Sequence, residues 1–298
     1  MEDSYVDGKI YSIPFQRSTM VLYYNKDAFK EAGLDPETPP ATWEELAEYG
    51  QKLTDDGRYG VGIALNSGSA QWAFTGFCLQ NSTDGQNLMS EDGKSVYFNT
   101  PENVEALQFW LDLQNEYKCM AEGIVQWTDL PTQFLAGEVA MIYHTTGNMA
   151  NIHDNADFDF GTAFLPAHKR VGAPTGGGNF YISSGISEDR VQAAWKFIKF
   201  ATSTDRAAQW SLDTGYVATR QSCFDTDLIK DYYAEVPQAS VAYEQLPYAK
   251  PELTTYNAAE IWRVLNDNIQ AAVVGDMSAR EALDAAQEQA EEVLSEYQ

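Results

Sequence analysis

The sequence predicts an α/β fold built as two lobes. Three observations carry this. Strand-like apolar runs alternate with amphipathic, helix-like segments along the whole chain. The chain has 298 residues and is 44% hydrophobic, enough for a sizeable core and long enough to favour two lobes over one. No internal repeat, low-complexity segment or long linker interrupts the alternation.

The elements follow in order. Val21–Tyr24 reads as a strand approached by a polar patch, Gln16 to Thr19, and followed by an Asn25-Lys26-Asp27 turn. A short helix over Lys26–Ala32 closes at Gly33. Thr42 with Glu45 forms a capping-box pattern, and Leu46, Tyr49 and Leu53 supply the buried stripe of the helix behind it. YGVGIAL, 59–65, reads as a strand, SAQWAFTGFCLQ, 69–80, as an apolar helix, and the following turn-rich stretch as hairpin-like. Thr100 at the N-cap, Pro101 at the first helical position and Glu102 in the first turn mark a strong helix start. LPTQFLAGEVAMIYHTTGN predicts a short helix, a glycine stop, a strand over Val139–Tyr143 and a polar turn.

FGTAFLP, 160–166, is another strand, and APTGGGNFYIS a glycine-rich bend leading into one. Ser187 is placed to cap a helix whose buried face is Val191, Ala194, Trp195 and Ile198. Thr204–Asp213 forms a second helix that ends at Gly215. The C-terminal third is helical, with one helix over AAEIWRVLNDNIQAAVVG. The last is capped by Ser278 and Glu281 and striped by Leu283, Ala286, Ala290, Val293 and Tyr297.

Composition narrows the function. Acids outnumber bases 44 to 19, giving a net charge of −25, so the chain repels nucleic acid and anionic membrane surfaces. Cys78, Cys119 and Cys223 are widely spaced with no C-x-x-C, which points to buried thiols, with one bridge and a free thiol as the alternative. The opening MEDSYVDGKIYSIPF has neither a basic start nor an apolar run. Taken literally it implies a cytosolic protein; taken as a fragment it carries no compartment information.

The motifs of common enzymes are missing from the sequence. His144, His153 and His168 have no metal-ligand spacing, and there is no G-x-S-x-G. Gly176-Gly177-Gly178 lacks the lysine of a P-loop and the Rossmann spacing, and reads as a tight turn or bulge. Paired carboxylates of a glycosidase remain an alternative, though the acids spread along helix faces where solvation accounts for them. What stands out is aromatic residues in polar surroundings: Trp72, Trp127, Tyr216 and Trp262. Aromatic platforms edged by short polar side chains suit the flat faces and hydroxyl rims of sugars. Trp110, Trp195 and Trp210 read as core.

Several of these segments together carry a resemblance. DGKIYSIPF…VLYYNKDAFKEAGLDPETPPATWEEL, FLAGEVAMIYHTTGNMANI and AAWKFIKFATSTDRAAQWSLDTGYVATR occur in the order found in ABC-transporter solute-binding proteins of the sugar and glycerol-phosphate type, the maltose-binding superfamily. The resemblance spans essentially the whole chain, with Ala218 where the family's T-G-Y-x-P has proline. It implies the periplasmic-binding-protein fold: two α/β lobes joined by crossing hinge strands, with ligand between them. Lobe I, the smaller in this chain, is expected from 1–19 plus 179–229, and lobe II, the larger, from 20–178 plus 230–298. In the family a long segment precedes DGKIYSIPF and carries the export address and the first strands of lobe I. The resemblance therefore implies an incomplete lobe I, and an extracytoplasmic protein, periplasmic or lipid-anchored, in its full-length form.

The resemblance also implies a ligand site. His144, Thr145, Thr146 and Gly147 match the family's ligand-touching turn, Gly177 a backbone contact, Tyr216 the T-G-Y tyrosine and Trp72 an aromatic platform. Trp262 falls where the glycerol-phosphate type holds a phosphate-binding arginine and the maltose type a sugar-stacking tryptophan. Arg263, next along, lies about 100° round the helix. Arg17 is the other source of positive charge, and Arg17, Ser18 and Trp127 complete the candidate set. The expectation is a non-enzymatic monomer without cofactor or metal. It would bind an oligosaccharide and deliver it to ABC permease subunits. The alternatives are a glycerol-3-phosphate or glycerophosphodiester binder, a sugar sensor and a glycosidase.

Overall fold

The structure is a computed structural model, and residues 4–6, 8–66 and 68–298 are described. Parts of the expected first-lobe segment, 1–3 and 7, lie outside the described residues. A short hairpin, β1 (Tyr5–Val6) with β2 (Lys9–Ile10), leads into β3 (Ile13–Asn25). β3 organises the molecule. Its first half pairs antiparallel with β7 (Ala173–Phe180), from Ile13 opposite Phe180 to Thr19 opposite Thr175. Its second half lies between β5 (Val139–Thr145) and β6 (Phe160–Ala163), both antiparallel. β4 (Tyr59–Gly62) extends the sheet in parallel beyond β5, and β8 (Ala249–Pro251) does so beyond β7, giving the order β4-β5-β3-β7-β8. The strand thus changes neighbours between Thr19 and Met20, where it crosses from one part of the protein to the other.

The polar patch at 16–19 belongs to this strand and is not merely its approach. The sequence alone marks only Val21–Tyr24, because that half is buried on both faces and reads as a continuous apolar run. The glycine triplet is likewise strand, part of β7, instead of a bend. Its partner is the distant Gln16–Ser18 segment, so nothing local reveals the pairing.

Helices cover the larger part. α1 (Lys26–Glu31) starts on Asn25, whose side chain accepts from the Ala28 N–H, so the expected turn is a cap. α2 (Trp43–Leu53) is capped by Thr42, while Glu45 reaches back to the Ala41 N–H instead of Thr42. α3 (Ala70–Asn81) is buried along its whole length, which accounts for its lack of a polar face. α4 (Pro101–Asn115) has the cap the sequence predicts, and Trp110 is fully buried, stacked with Phe77, which stacks in turn on Tyr143. α5 (Leu130–Leu135) precedes β5, and α6 (Met149–Asn155) follows it. α11 (Ala258–Val273) and α12 (Ala279–Leu294) pack together on α3 and α4, and α12 opens with the predicted Ser278–Glu281 capping box. Cys78, Cys119 and Cys223 are buried free thiols.

The smaller part is different. α7 (Glu188–Ala201) and α8 (Thr204–Thr214) follow β7, and α9 (Asp227–Glu235) and α10 (Ser240–Gln245) lead back. Among the described residues the buried cluster here is small, Ala207, Ala208, Cys223 and Ile229, and Ile198 and Val217 are also buried. Of the expected α7 stripe only Ile198 is buried. Trp195 and Trp210, read from the sequence as core, are 39% and 37% exposed. Tyr11, Tyr181, Phe197 and Phe200 are more exposed still, because no element among the described residues covers this face. The fold is therefore two-lobed, with a well-packed large lobe and a small lobe whose apolar face stands open. No helix among the described residues is long and apolar enough to cross a membrane.

Candidate ligand-binding site

The candidate residues gather where strands end and cross. Trp72 sits in the first turn of α3, just beyond the end of β4. Trp127 lies in the loop before α5, and the two rings are 5.8 Å apart. His144, near the end of β5, stacks on Trp127 at 3.9 Å, and its Nε2 lies 3.3 Å from the Trp127 carbonyl oxygen. A carbonyl only accepts, so Nε2 carries the proton and Nδ1 is left as an acceptor. Burial pushes the His144 pKa down to about 4, against the smaller opposing effect of that hydrogen bond, so the ring is neutral at physiological pH. Among the described residues Nδ1 of His144 and Nε1 of Trp72 are buried without a hydrogen-bond partner.

A second group adjoins the first through the turn after β5. Thr146 is buried and its Oγ1 accepts from the Thr19 N–H at the point where β3 changes neighbours. Gly147 lies under the Tyr216 ring: a Cβ there would sit 2.7 Å from two ring carbons. Tyr216 follows Gly215, which ends α8 with φ +85°. The next residue, Val217, exchanges both backbone hydrogen bonds with Arg17. Arg17 is opposite Gly177 in the β3–β7 ladder, and Ser18 opposite Gly176. Gly177 has φ +132°, and a Cβ there would meet the Gln16 carbonyl at 2.2 Å and the Arg17 guanidinium at 3.1 Å. Glu252, which the sequence does not single out, approaches Gly176 from just after β8.

α11 brings in Trp262. Its Asn266, fully buried, accepts from the Gln71 N–H at 2.8 Å, satisfying one of the open donors at the start of α3. Trp262 is one turn earlier on the same face of α11, and its indole N–H donates to the Leu253 carbonyl next to Glu252. Arg263 does not join. It points outward and binds Glu260 and Asp267 at 2.6 and 2.8 Å, as the helical step from Trp262 requires. Asn66 is the other residue missed from sequence. Its Oδ1 accepts from the Trp127 N–H at 2.7 Å and from Ser69 Oγ at 2.9 Å. A single loop asparagine has no periodicity or motif to mark it.

An aromatic wall with short polar residues beside it, at a strand crossing between lobes, is a geometry for holding a small polar solute. The sequence pattern of bacterial extracellular solute-binding proteins matches residues 2–238. The chain belongs to this family. The sn-glycerol-3-phosphate-binding periplasmic protein UgpB of Salmonella paratyphi A is 31% identical, over 98% of this chain and 68% of its own length. UgpB from Mycobacterium tuberculosis, solved with glycerophosphocholine, superimposes with a TM-score of 0.87 at 28% identity, over 99% of this chain and 73% of that one. The cyclic α-maltosyl-1,6-maltose binding protein from Arthrobacter globiformis does so with a TM-score of 0.81 at 27% identity, over 98% and 74%. About a quarter of each of these two solved chains lies outside the part that superimposes.

Proposed function

We propose that this chain is the substrate-binding component of an ABC importer, working outside the cytoplasm, and that its ligand is a neutral carbohydrate, an oligosaccharide. The observation that carries this is the aromatic wall: Trp72 and Trp127 at 5.8 Å, with Trp262 tied to the same end of α3 through Asn266. Such a wall matches sugar faces. Arg17, Ser18, Thr146, Gly147, Gly177 and Tyr216 supply the polar side. In this reading β3, β7 and β8 are the hinge, 1–19 plus 179–229 the smaller lobe and 20–178 plus 230–298 the larger. Ligand bridges the lobes and favours the closed form, which the membrane permease then recognises.

A glycerol-3-phosphate or glycerophosphodiester ligand is the second reading, favoured by what the UgpB relatives bind and by Arg17. Against it, Arg263 is held by two carboxylates and His144 is neutral, so neither offers the charge-assisted pairing a phosphate requires. Titration of intrinsic tryptophan fluorescence with maltose, maltotriose, glycerol-3-phosphate and glycerophosphocholine separates the two. Saturable change with a neutral oligosaccharide and loss of it in W262A is the expected result. Response to the phosphate compounds alone would reverse the assignment.

A further inference from the structure

Trp127 stands in a loop with no regular secondary structure, yet its backbone is gripped from both sides by side chains. Asn66 Oδ1 takes its N–H, and His144 Nε2–H approaches its carbonyl and stacks on its ring. Asn66 does more. The same Oδ1 accepts from Ser69 Oγ, and its backbone carbonyl accepts from the Ser69 and Ala70 N–H groups at 3.1 and 3.4 Å, where α3 begins. Trp72 is two residues further on. One short side chain therefore holds both segments that carry the tryptophan pair. His144 is 3% exposed, so its contact with Trp127 is a buried one.

We infer that Asn66 and His144 are positioning residues that lock Trp127 against Trp72 before ligand arrives. The inference rests on the aromatic wall being the ligand-facing surface, as proposed above. A loop tryptophan left to itself would lose rotational and backbone freedom on binding, and fixing it beforehand removes that cost from the affinity. Asparagine suits the post because its amide oxygen can accept twice, which alanine cannot do at all.

The test separates positioning from ligand choice. Two indoles at this spacing give an exciton couplet in far-UV circular dichroism, readable without any ligand. The expected result is a couplet in the wild-type chain that vanishes in W72F and in W127F, shrinks in N66A and H144F, and recovers in N66D, which keeps an acceptor oxygen. Maltotriose affinity should fall roughly tenfold in N66A, and the melting temperature by a few degrees, since the same hydrogen bonds are present without ligand. If N66A does not fold, N66S and H144F are read the same way. An unchanged couplet in N66A and H144F overturns the inference, as does a wild-type couplet that survives in W127F. Failure of maltotriose to bind the wild type would instead overturn the carbohydrate reading, with the couplet still deciding the positioning roles.

Discussion

The turn after β5 shows how much packing can depend on a single atom position. Tyr216 rests on Gly147 because glycine has no Cβ to hold it off. G147A should push the ring away and weaken ligand binding at least severalfold, while thermal stability falls little, since the turn itself is held by Thr145 and Tyr23. Titration and a thermal melt on the same variant check both halves, and unchanged affinity would remove Tyr216 from the site. His144 makes a different kind of statement. Its pKa is lowered by burial to about 4, whereas an unfolded chain would titrate it near 6.5. Between those values the unfolded state binds more protons, so stability rises with pH there and is lost as pH falls from about 6.5 to about 4. The shift, caused mainly by burial, is on the order of 3 kcal/mol. H144F should flatten this part of the stability–pH curve measured by urea unfolding. A wild-type curve without slope in that window would show that the ring is not buried neutral.

At the scale of elements, α7 is the part that departs most from its sequence pattern. Of its predicted stripe, Val191, Ala194, Trp195 and Ile198, only Ile198 is buried, and the neighbouring Phe197 and Phe200 stay more than half exposed. Replacing both by serine should therefore cost little stability and lower the fluorescence of a bound apolar dye such as ANS. A large loss of stability would mean that the face is covered in solution. The contrast explains what could be read from sequence. Caps and stripes are local, so Thr42, Thr100 and Ser278 mark their helices correctly, and Leu46, Leu53, Leu283 and Ala286 are buried as predicted. Features set by distant partners were not legible. The triplet at 176–178 becomes strand only because Gln16–Ser18 lies opposite it. Trp195 and Trp210 have the spacing of core residues, but the spacing cannot report whether another layer covers them. Of the candidate site, the tryptophans and the turn after β5 stand out by residue type and resemblance, whereas Asn66 and Glu252 come near them only through the fold.

The whole molecule carries a net charge of −25, and this field bears on what it can bind. The ion pairs of the structure, such as Lys26 with Glu37 and Arg58 with Glu31 and Asp55, are partly or wholly solvent-exposed and individually worth little. Excess acid therefore dominates the long-range electrostatics. Raising ionic strength from about 10 mM to about 1 M shortens the screening length from about 30 Å to about 3 Å and relieves the self-repulsion of the compact state. The melting temperature should rise over that range, and a fall would show that the ion pairs outweigh the repulsion. The same field repels an anionic solute on approach but leaves a neutral one unaffected. If the ligand is a neutral oligosaccharide, its affinity should hold nearly constant over the salt series. A doubly charged solute such as glycerol-3-phosphate should bind more tightly as salt screens the field, unless close contact with Arg17 dominates, in which case salt weakens it. Constant affinity for maltotriose, measured beside a rising melting temperature in the same buffers, would tie the acidic surface to solubility and leave ligand choice to the aromatic wall. A steep salt dependence for the ligand that binds best would instead assign the site to an anion and give Arg17 the leading part.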